Sequence, residues 1–436
     1  MRLLAYVPSI TPRVAYAFRL LFGHAVALDY ELTTDRAYYL TVSGPRLNYS
    51  SRPVAEGEAW LPAGPLLWEQ GLSGCYPDVF TAEGLPAFFR QEAPGALLPF
   101  DLPALAFFMA SRYEEYLPFR PDGLGRFPAS ESLAGRNGFL EQPLVNQWAF
   151  LLAALLEQRF PGLVIRRPAY RFCPTYDVDM AWAYRHRPLW RLALASLRSL
   201  LAGRWAETIE RFAVLARQRD DPFFTFDDLH QLHQRYALSP AFFLLLGKPG
   251  KYDNNIRPGL PAFQELIRNL GQQGELGIHP SFRSNTAPAQ LEKEVRRLET
   301  ITGNTVNNSR QHFLMLHFPV TYNRLTDIGI RNDYSMGFAD AVGFRAGLAT
   351  PYPWYNLEKE CTEPLMIHPF AAMDVTLRQY MGLGPEAAFG QLCRLADAVR
   401  AVGGHFTTLW HNSSFSVHHG WGGWREVYEK MLSYAR

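Results

Sequence analysis

The stretch AYRFCPTYDVDM (residues 169–180) predicts a β-strand that ends in two aspartates, Asp177 and Asp179. Predicted helices and strands alternate from this strand to the end of the chain. The further strands are predicted at residues 240–247, 275–282 and 405–412, and the helices at residues 185–219, 226–238, 263–274, 291–303 and 389–404. Such alternation is typical of an α/β fold with a parallel sheet or barrel, in which catalytic residues lie at the carboxyl ends of the strands.

Polar side chains come at the ends of several predicted strands. His279 lies in GIHPS, His312 in SRQHFL and His411 in TLWHN. Because side chains alternate along a strand, Asp177 and Asp179 point to the same face. One aspartate can bind a metal while the other takes a proton from water, and histidine nitrogen is a common zinc ligand. An aspartate pair or a single histidine is often structural, so the coincidence of all five positions is what indicates a site.

Residues 1–164 follow a different pattern and predict a smaller α+β domain. Its strand-like and helical stretches lie at residues 25–32, 38–44, 102–117 and 143–160. The chain therefore divides near residue 165, and residues 165–436 form the second predicted domain. The polar residues of the first domain are expected to form a structural loop network, in particular Glu114, Glu115, Asp122 and Arg126.

Composition and charge exclude several classes of protein. Of the 436 residues, 48% are hydrophobic and 19% are charged, so the chain can bury large cores and is not disordered. A net charge of +2 gives no electrostatic reason to bind nucleic acid or an anionic membrane. The absence of a C-x-x-C pair, a secretory signal and a long apolar run predicts a cytoplasmic protein without a transmembrane segment. The cysteines are expected to be reduced thiols, at Cys75, Cys173, Cys361 and Cys393.

The motifs TYDVD, GIHPS, SRQHFL and TLWHN resemble, in the same order, those of polysaccharide deacetylases with the NodB homology fold, carbohydrate esterase family four. The stretches SRYEEY, DGLGRF and PLVNQW resemble an uncharacterised domain that precedes such a module in Bacteroidetes-type proteins. The resemblance implies a distorted (β/α) barrel that holds one divalent metal, usually zinc. It also implies hydrolysis of N-acetyl groups on a sugar or a cell-envelope glycan precursor, so the expected partner is an N-acetylated carbohydrate.

The resemblance also implies a role for each motif residue. Asp177 corresponds to the general base, and Arg310 to the arginine that orients it. Asp179 and His279 correspond to metal ligands. His411 corresponds to the general acid that protonates the leaving amine.

The chain departs from the family pattern in two places. Arg283 stands four residues after His279, where the family has a second histidine, and a valine separates the two aspartates of TYDVD. We expect His312 to supply the third metal ligand, although a water molecule could supply it or no metal could bind. Two other functions therefore stay open: a catalytically impaired carbohydrate-binding protein, and an amidohydrolase that acts on a non-sugar amide.

A second acidic stretch, TFDD (residues 225–228), competes with TYDVD for the first motif. A helical pattern starts there at once, and Leu229 stands where the family has glycine. We therefore expect Thr225 to cap a helix, and we favour TYDVD over Asp227 and Asp228 as the acidic motif.

The C-terminal aromatic residues have two open interpretations. Trp410, Phe415, Trp421 and Trp424 lie near His411 in the sequence. They could form a surface on which a sugar stacks, or ordinary core. The adjacent pair of histidines before GWGGW is expected in an aromatic loop rather than at the metal, at His418 and His419.

Overall fold

The computed structural model describes residues 1–74, 76–417 and 420–436, so the predictions for Cys75, His418 and His419 lie outside the described residues. The fold is mixed α/β. The strands are β1 (Leu3–Tyr6), β2 (Tyr30–Thr33), β3 (Arg46–Ser50), β4 (Ala59–Pro62), β5 (Phe80–Ala82), β6 (Leu85–Ala87), β7 (Arg171–Val178), β8 (Ala241–Leu244), β9 (Glu275–Ile278), β10 (Asn308–Ser309), β11 (Asn332–Asp333), β12 (Tyr352–Asn356), β13 (Cys361–Ile367), β14 (Ala372–Met373) and β15 (His405–His411).

The α-helices are α1 (Pro12–Arg19), α2 (Arg36–Thr41), α3 (Leu102–Ala110), α4 (Leu133–Arg136), α5 (Leu144–Arg159), α6 (Leu189–Leu201), α7 (Trp205–Leu215), α8 (Phe226–Tyr236), α9 (Pro261–Gln273), α10 (Pro288–Thr302), α11 (Val320–Asp327), α12 (Pro385–Ala401) and α13 (Trp424–Ala435). Among the described residues, none of these helices combines the length and apolarity needed to cross a bilayer. The described cysteines are thiols, at Cys173, Cys361 and Cys393.

The chain forms two compact units, each built from three segments. The first unit consists of Met1–Phe172, Leu314–Ala372 and Arg394–Thr407. The second unit consists of Cys173–Phe313, Met373–Cys393 and Thr408–Arg436.

The first unit contains a parallel sheet of strand order β2-β1-β3-β4. Helix α3 is buried along its whole length, because its sequence LPALAFFMA is apolar on every face. After α3, Arg112 adopts a left-handed conformation and donates to the carboxylates of Glu114 and Glu115, at 2.8 and 2.7 Å. Glu115 also accepts a hydrogen bond from Arg345 at 2.8 Å. These buried pairs, together with the Asp122–Arg126 pair, form the structural network expected from the sequence.

The second unit contains the parallel strands β7, β8, β9 and β10, each paired with the next. Their register places Asp177 opposite Phe243, Phe243 opposite Gly277, and Gly277 opposite Asn308. A Cβ at Gly277 would lie 2.6 Å from the Phe243 ring, so this position requires glycine. The carboxyl ends of these strands therefore meet at one edge, where the polar motifs follow.

Several boundaries differ from the sequence predictions. The predicted strand at residues 38–44 is wrong, because helix α2 occupies Arg36–Thr41 and the Asp35 side chain accepts from the Tyr38 amide as its N-cap. The stretch 25–32 forms a strand only from Tyr30. The helical segment at 185–219 is two helices, α6 and α7, separated around Gly203, whose φ is +70°.

Candidate metal centre

The predicted site residues converge at the strand ends of the second unit. Asp177 lies on β7 and Asp179 directly follows it, while His279 directly follows β9. Arg310 directly follows β10, and His312 comes two residues later. His411 is the last residue of β15, and the distances given below show that its ring lies close to Asp179.

Three of these side chains form a cluster with the geometry of a metal site. One potential ligand atom from each of Asp179, His279 and His312 lies within 4.8 Å of the other two. The Nε2 atom of His279 lies 3.2 Å from Asp179 Oδ1, and the Nε2 atom of His312 lies 3.8 Å from Asp179 Oδ2. Two imidazole nitrogens and a carboxylate form a common ligand set for zinc and other divalent metals.

The hydrogen bond of His279 decides which ring nitrogen faces Asp179. The Nδ1 atom lies 2.6 Å from the Arg310 carbonyl oxygen, which can only accept, so Nδ1 carries the proton. In the neutral ring, Nε2 then presents a lone pair to Asp179, and two acceptors face each other. Among the described residues, the buried Oδ1 atom of Asp179 has no hydrogen-bond partner. This arrangement needs either a second proton on the imidazole or a cation between the two atoms, so the residues fit a metal.

Electrostatics around the cluster favour a positive charge at its centre. Burial opposes ionisation of Asp179, but the charges of His312, His279 and His411 outweigh it and hold the pKa of Asp179 well below its ordinary value. Burial likewise opposes protonation of His279, but the nearby Asp177 and Asp179 raise the pKa of His279 above its ordinary value. A divalent cation would satisfy the same carboxylates without the second imidazole proton.

His312 is oriented by a carboxylate that the sequence analysis missed. Its Nδ1 atom donates to Asp253 Oδ1 at 3.0 Å, and the same oxygen accepts from the Phe282 amide at 2.8 Å. Burial raises the pKa of Asp253, but these bonds and the His312 charge outweigh burial and lower it. A carboxylate on the outer nitrogen of a metal-binding histidine is a frequent arrangement, because it fixes the ring and turns its other nitrogen inward.

Asp177 and Arg310 form a buried ion pair beside the cluster. The Arg310 Nη1 atom lies 3.1 Å from Asp177 Oδ1, and the two side chains are 0% and 4% exposed. The guanidinium also lies over the Phe243 ring, 4.4 Å from its centroid. Asp177 Oδ2 lies 3.7 Å from the Nε2 atom of His279. The pair therefore holds a carboxylate of fixed orientation next to the candidate metal position.

His411 also approaches the cluster and is held by Asp374, which the sequence analysis missed as well. His411 Nδ1 lies 2.8 Å from Asp374 Oδ1, and its Nε2 lies 3.7 Å from Asp179 Oδ2. Asp374 Oδ2 also accepts hydrogen bonds from the His411 amide and the Ser414 hydroxyl. Burial lowers the pKa of His411, but Asp374, Asp179 and Asp177 outweigh it and raise the pKa to about 10.

The competing acidic stretch lies elsewhere in the second unit. Asp227 and Asp228 lie in the first turn of α8, and Asp228 pairs with Arg425 at 2.8 Å. Thr225 occupies the N-cap position as expected, but the predicted side-chain cap is wrong. Its hydroxyl donates instead to the Asn412 carbonyl at 2.9 Å.

The Arg283 side chain is exposed to solvent, and the C-terminal aromatic side chains are buried. Arg283 lies in the 3₁₀ turn Phe282–Asn285, and its side chain is exposed. The aromatic side chains are all buried, at 1–7% exposure, so they belong to the core rather than to an open stacking surface: Trp410, Phe415, Trp421 and Trp424.

Comparisons with known proteins give one family match and several matches to solved structures at low identity. A family of unknown function, DUF7033, matches residues 3–161. No curated protein matches the chain. Solved structures that match include a Mycobacterium smegmatis protein assigned as a polysaccharide deacetylase, with 15% identity, a TM-score of 0.39 and coverage of 62% of this chain and 84% of that chain.

Two further matching structures have similar coverage of this chain. A polysaccharide deacetylase from Bacillus cereus is 9% identical, with a TM-score of 0.29 and coverage of 62% of this chain and 87% of that chain. A CE4 family pseudoenzyme from Bacillus anthracis is 11% identical, with a TM-score of 0.29 and coverage of 61% of each chain.

Proposed function

We propose that the chain is a metal-dependent deacetylase that removes N-acetyl groups from a sugar or a cell-envelope glycan precursor. The observation that carries this proposal is the cluster of Asp179, His279 and His312, with an aspartate–arginine pair and an aspartate–histidine pair close to it. The choice of an N-acetylated sugar follows from the motif resemblance. We assign the reaction to residues 165–436, as a distorted (β/α) barrel of NodB type, and leave residues 1–164 as a preceding domain of unknown role.

Asp179, His279 and His312 would hold one divalent cation, with zinc as the metal we propose. Each histidine presents Nε2 to the shared aspartate while its Nδ1 is held by a neighbouring oxygen. When bound, such a cation polarises an amide carbonyl and lowers the pKa of a water molecule.

Asp177 is placed to accept a proton from the attacking water. Its Oδ1 is held by Arg310, while its Oδ2 faces the His279 ring next to the candidate metal position. The ion pair keeps the carboxylate in one orientation, and burial excludes competing solvent. A positioned base of this kind contributes about 10²- to 10⁴-fold to the rate.

His411 is placed to give a proton to the leaving amine. Asp374 accepts from Nδ1, so Nε2 points toward Asp179 and the candidate metal position. The base and the acid thus approach the same place from different strands, as hydrolysis of an amide requires.

The test is acetate release by the purified chain from N-acetylglucosamine oligosaccharides, with and without added Zn²⁺. We expect zinc-dependent release that a chelator abolishes. Asp179→Asn and His279→Gln should lose both zinc binding and activity, whereas Asp177→Asn should bind zinc and release no acetate. Asp228→Asn is the matched control, because it changes an aspartate of the competing stretch outside the cluster.

Two outcomes would overturn the proposal in favour of the alternatives. Oligosaccharide binding that survives the chelator and Asp177→Asn, with no acetate release under any condition, would indicate a carbohydrate-binding protein. Zinc-dependent cleavage of non-sugar amides alone would indicate a different amidohydrolase.

A further inference from the structure

Helices α6 and α7 carry their large apolar side chains on the outside. Nine of the 21 exposed large hydrophobic side chains of the described residues lie between Leu189 and Leu215. Seven of them recur at helical spacing and are 41–81% exposed: Trp190, Leu194, Leu197 and Leu201 on α6, and Trp205, Ile209 and Phe212 on α7. Each set therefore forms one continuous apolar face, and we call the two together the outer face.

The inner side of the same two helices is unusually polar. Seven positions of the two helices are buried. Leu192 and Val214 are apolar, and the other five are polar or charged: Ser196, Ser199, Thr208, Glu210 and Arg211. Arg211 donates to the Ser196 hydroxyl at 2.8 Å across the two helices. A helix pair surrounded by water normally has the opposite arrangement, with apolar residues inside and polar residues outside. The inverted pattern indicates that the outer face meets an apolar medium or partner.

The charges around the outer face identify that medium. Although the net charge of the whole chain is only +2, residues 185–212, which span the outer face, contain six arginines and two acidic residues, Glu207 and Glu210. Arg198 and Arg204 are exposed, while Arg187, Arg191 and Arg257 line a cavity of about 190 Å³ at the start of α6. An apolar helix face rich in tryptophan and leucine and bordered by arginine fits the interface of a bilayer with anionic headgroups. A second copy fits less well, because the same arginines would meet across a symmetric contact.

Arginines at the start of α6, next to the outer face in the sequence, contact the loop that carries Asp253. Arg187 and Arg191 both donate to the Asn254 side-chain oxygen, at 3.2 and 3.5 Å. Asn254 directly follows Asp253, which holds His312. From these contacts we infer that the outer face docks on the surface of a bilayer containing anionic lipids, and that docking brings the candidate centre beside that surface. The inference does not depend on the deacetylase activity.

The experiment is co-sedimentation of the full chain with phospholipid vesicles of two compositions. One contains phosphatidylcholine alone, and the other contains equal parts of phosphatidylcholine and phosphatidylglycerol. We expect affinity for the mixed vesicles to be about ten-fold higher or more, and to fall with added salt. Failure to bind the mixed vesicles, or equal binding to both compositions, would overturn the inference.

A double variant tests the outer face itself. Leu197→Glu with Phe212→Glu changes residues that are 54% and 60% exposed, so the fold should survive. We expect affinity for the mixed vesicles to fall about ten-fold or more. The matched control is Leu40→Glu with Val320→Glu, which changes apolar residues that are 41% and 45% exposed on other helices and should bind like the unchanged chain.

Two further readouts keep the result specific. Zinc affinity of the double variant should equal that of the unchanged chain, so loss of vesicle binding is separable from failure of the proposed metal site. Light scattering measures whether the chain is a monomer or a dimer. If the unchanged chain is a dimer and the double variant is a monomer, a second copy covers the outer face and the inference is overturned.

Discussion

Replacing Asp253 by asparagine should weaken metal binding while leaving the chain folded. The Oδ1 atom of Asp253 accepts from the His312 ring at 3.0 Å and from the Phe282 amide at 2.8 Å. Asparagine has nearly the same shape, and its carbonyl oxygen can accept both bonds, so the change removes mainly the negative charge. That charge strengthens the bond from His312 Nδ1 and makes Nε2 a better ligand.

The expected magnitude follows from this arrangement. Loss of an outer carboxylate typically lowers metal affinity about 10- to 100-fold, which is about 1.4–2.7 kcal/mol of binding free energy. His312→Gln removes the ligand itself and should cost more. Asp228→Asn changes an exposed aspartate that pairs with Arg425, and it should leave metal affinity unchanged.

The assay is competition for Zn²⁺ with a chromophoric chelator, together with the visible absorption spectrum of the Co²⁺-loaded chain. Asp253→Asn should keep the Co²⁺ spectrum and lose affinity, whereas His312→Gln should change the spectrum, since it changes the ligand set. If both variants bind Zn²⁺ and Co²⁺ like the unchanged chain while His279→Gln binds neither, His312 is not the third ligand and the reasoning fails.

Three further predictions use other contacts of the second unit. Asp374→Asn should lower the deacetylation rate about 100-fold or more with little change in zinc affinity, because it removes the charge that orients His411. An unchanged pH–rate profile would contradict a role of Asp374 in positioning His411. Arg310→Gln leaves the Asp177 carboxylate buried without its cation. Urea titration should therefore show a loss of about 3–5 kcal/mol in the free energy of unfolding. Unchanged stability would refute a structural role of this ion pair. Burial lowers the pKa of His233 to about 4 from 6.5. Between these two pH values the unfolded chain binds a proton at His233 that the folded chain does not bind. The contribution of His233 to the free energy of unfolding is therefore present above pH 6.5 and is lost as the pH falls toward 4. The free energy of unfolding should fall by up to about 3 kcal/mol over this pH range. In His233→Gln, urea unfolding measured at each pH should show a smaller fall between pH 6.5 and 4.

The elements of the second unit were predictable because their signals are local. The apolar stretch PAFFLLLG contains β8 at Ala241–Leu244, where every side chain is buried. The helical pattern before Gly303 ends where expected, with Gly303 in the left-handed conformation that a C-cap requires. Buried strands and amphipathic helices have distinct apolar spacings, so their order is visible without knowledge of the contacts.

The first unit was less predictable because short-range capping outweighs side-chain propensity. The stretch around Tyr38 and Tyr39 has aromatic residues typical of strands. Asp35 caps it as a helix, and the Tyr39 hydroxyl donates to Glu58 at 2.9 Å. Neither the cap nor a partner nineteen residues away is indicated by the spacing of apolar residues.

The site was predictable in its inner residues and not in the residues that orient them. The six inner side chains lie in the last two residues of a strand or within three residues after it, so their convergence is a consequence of a parallel sheet. Asp253 is 59 residues from His312, and Asp374 is 37 residues from His411. Asp374 follows β14 and could have been found by the same strand-end rule, but Asp253 lies in a loop well beyond β8 and has no such signal.

Under the proposed function, His312 after a neighbouring strand takes the place of the second histidine that the resembled family has four residues after His279. The position four residues after His279 lies in a 3₁₀ turn, and the side chain of Arg283 there is exposed. Strand β10 is the parallel neighbour of β9, with Ser309 opposite Ile278, so the residues that follow the two strands emerge side by side. The rings of His279 and His312 consequently lie 5.0 Å apart. Residues at the ends of neighbouring strands can lie as close together as residues four apart in one loop. Candidate ligands should therefore be sought on adjacent strands before a metal site is judged incomplete.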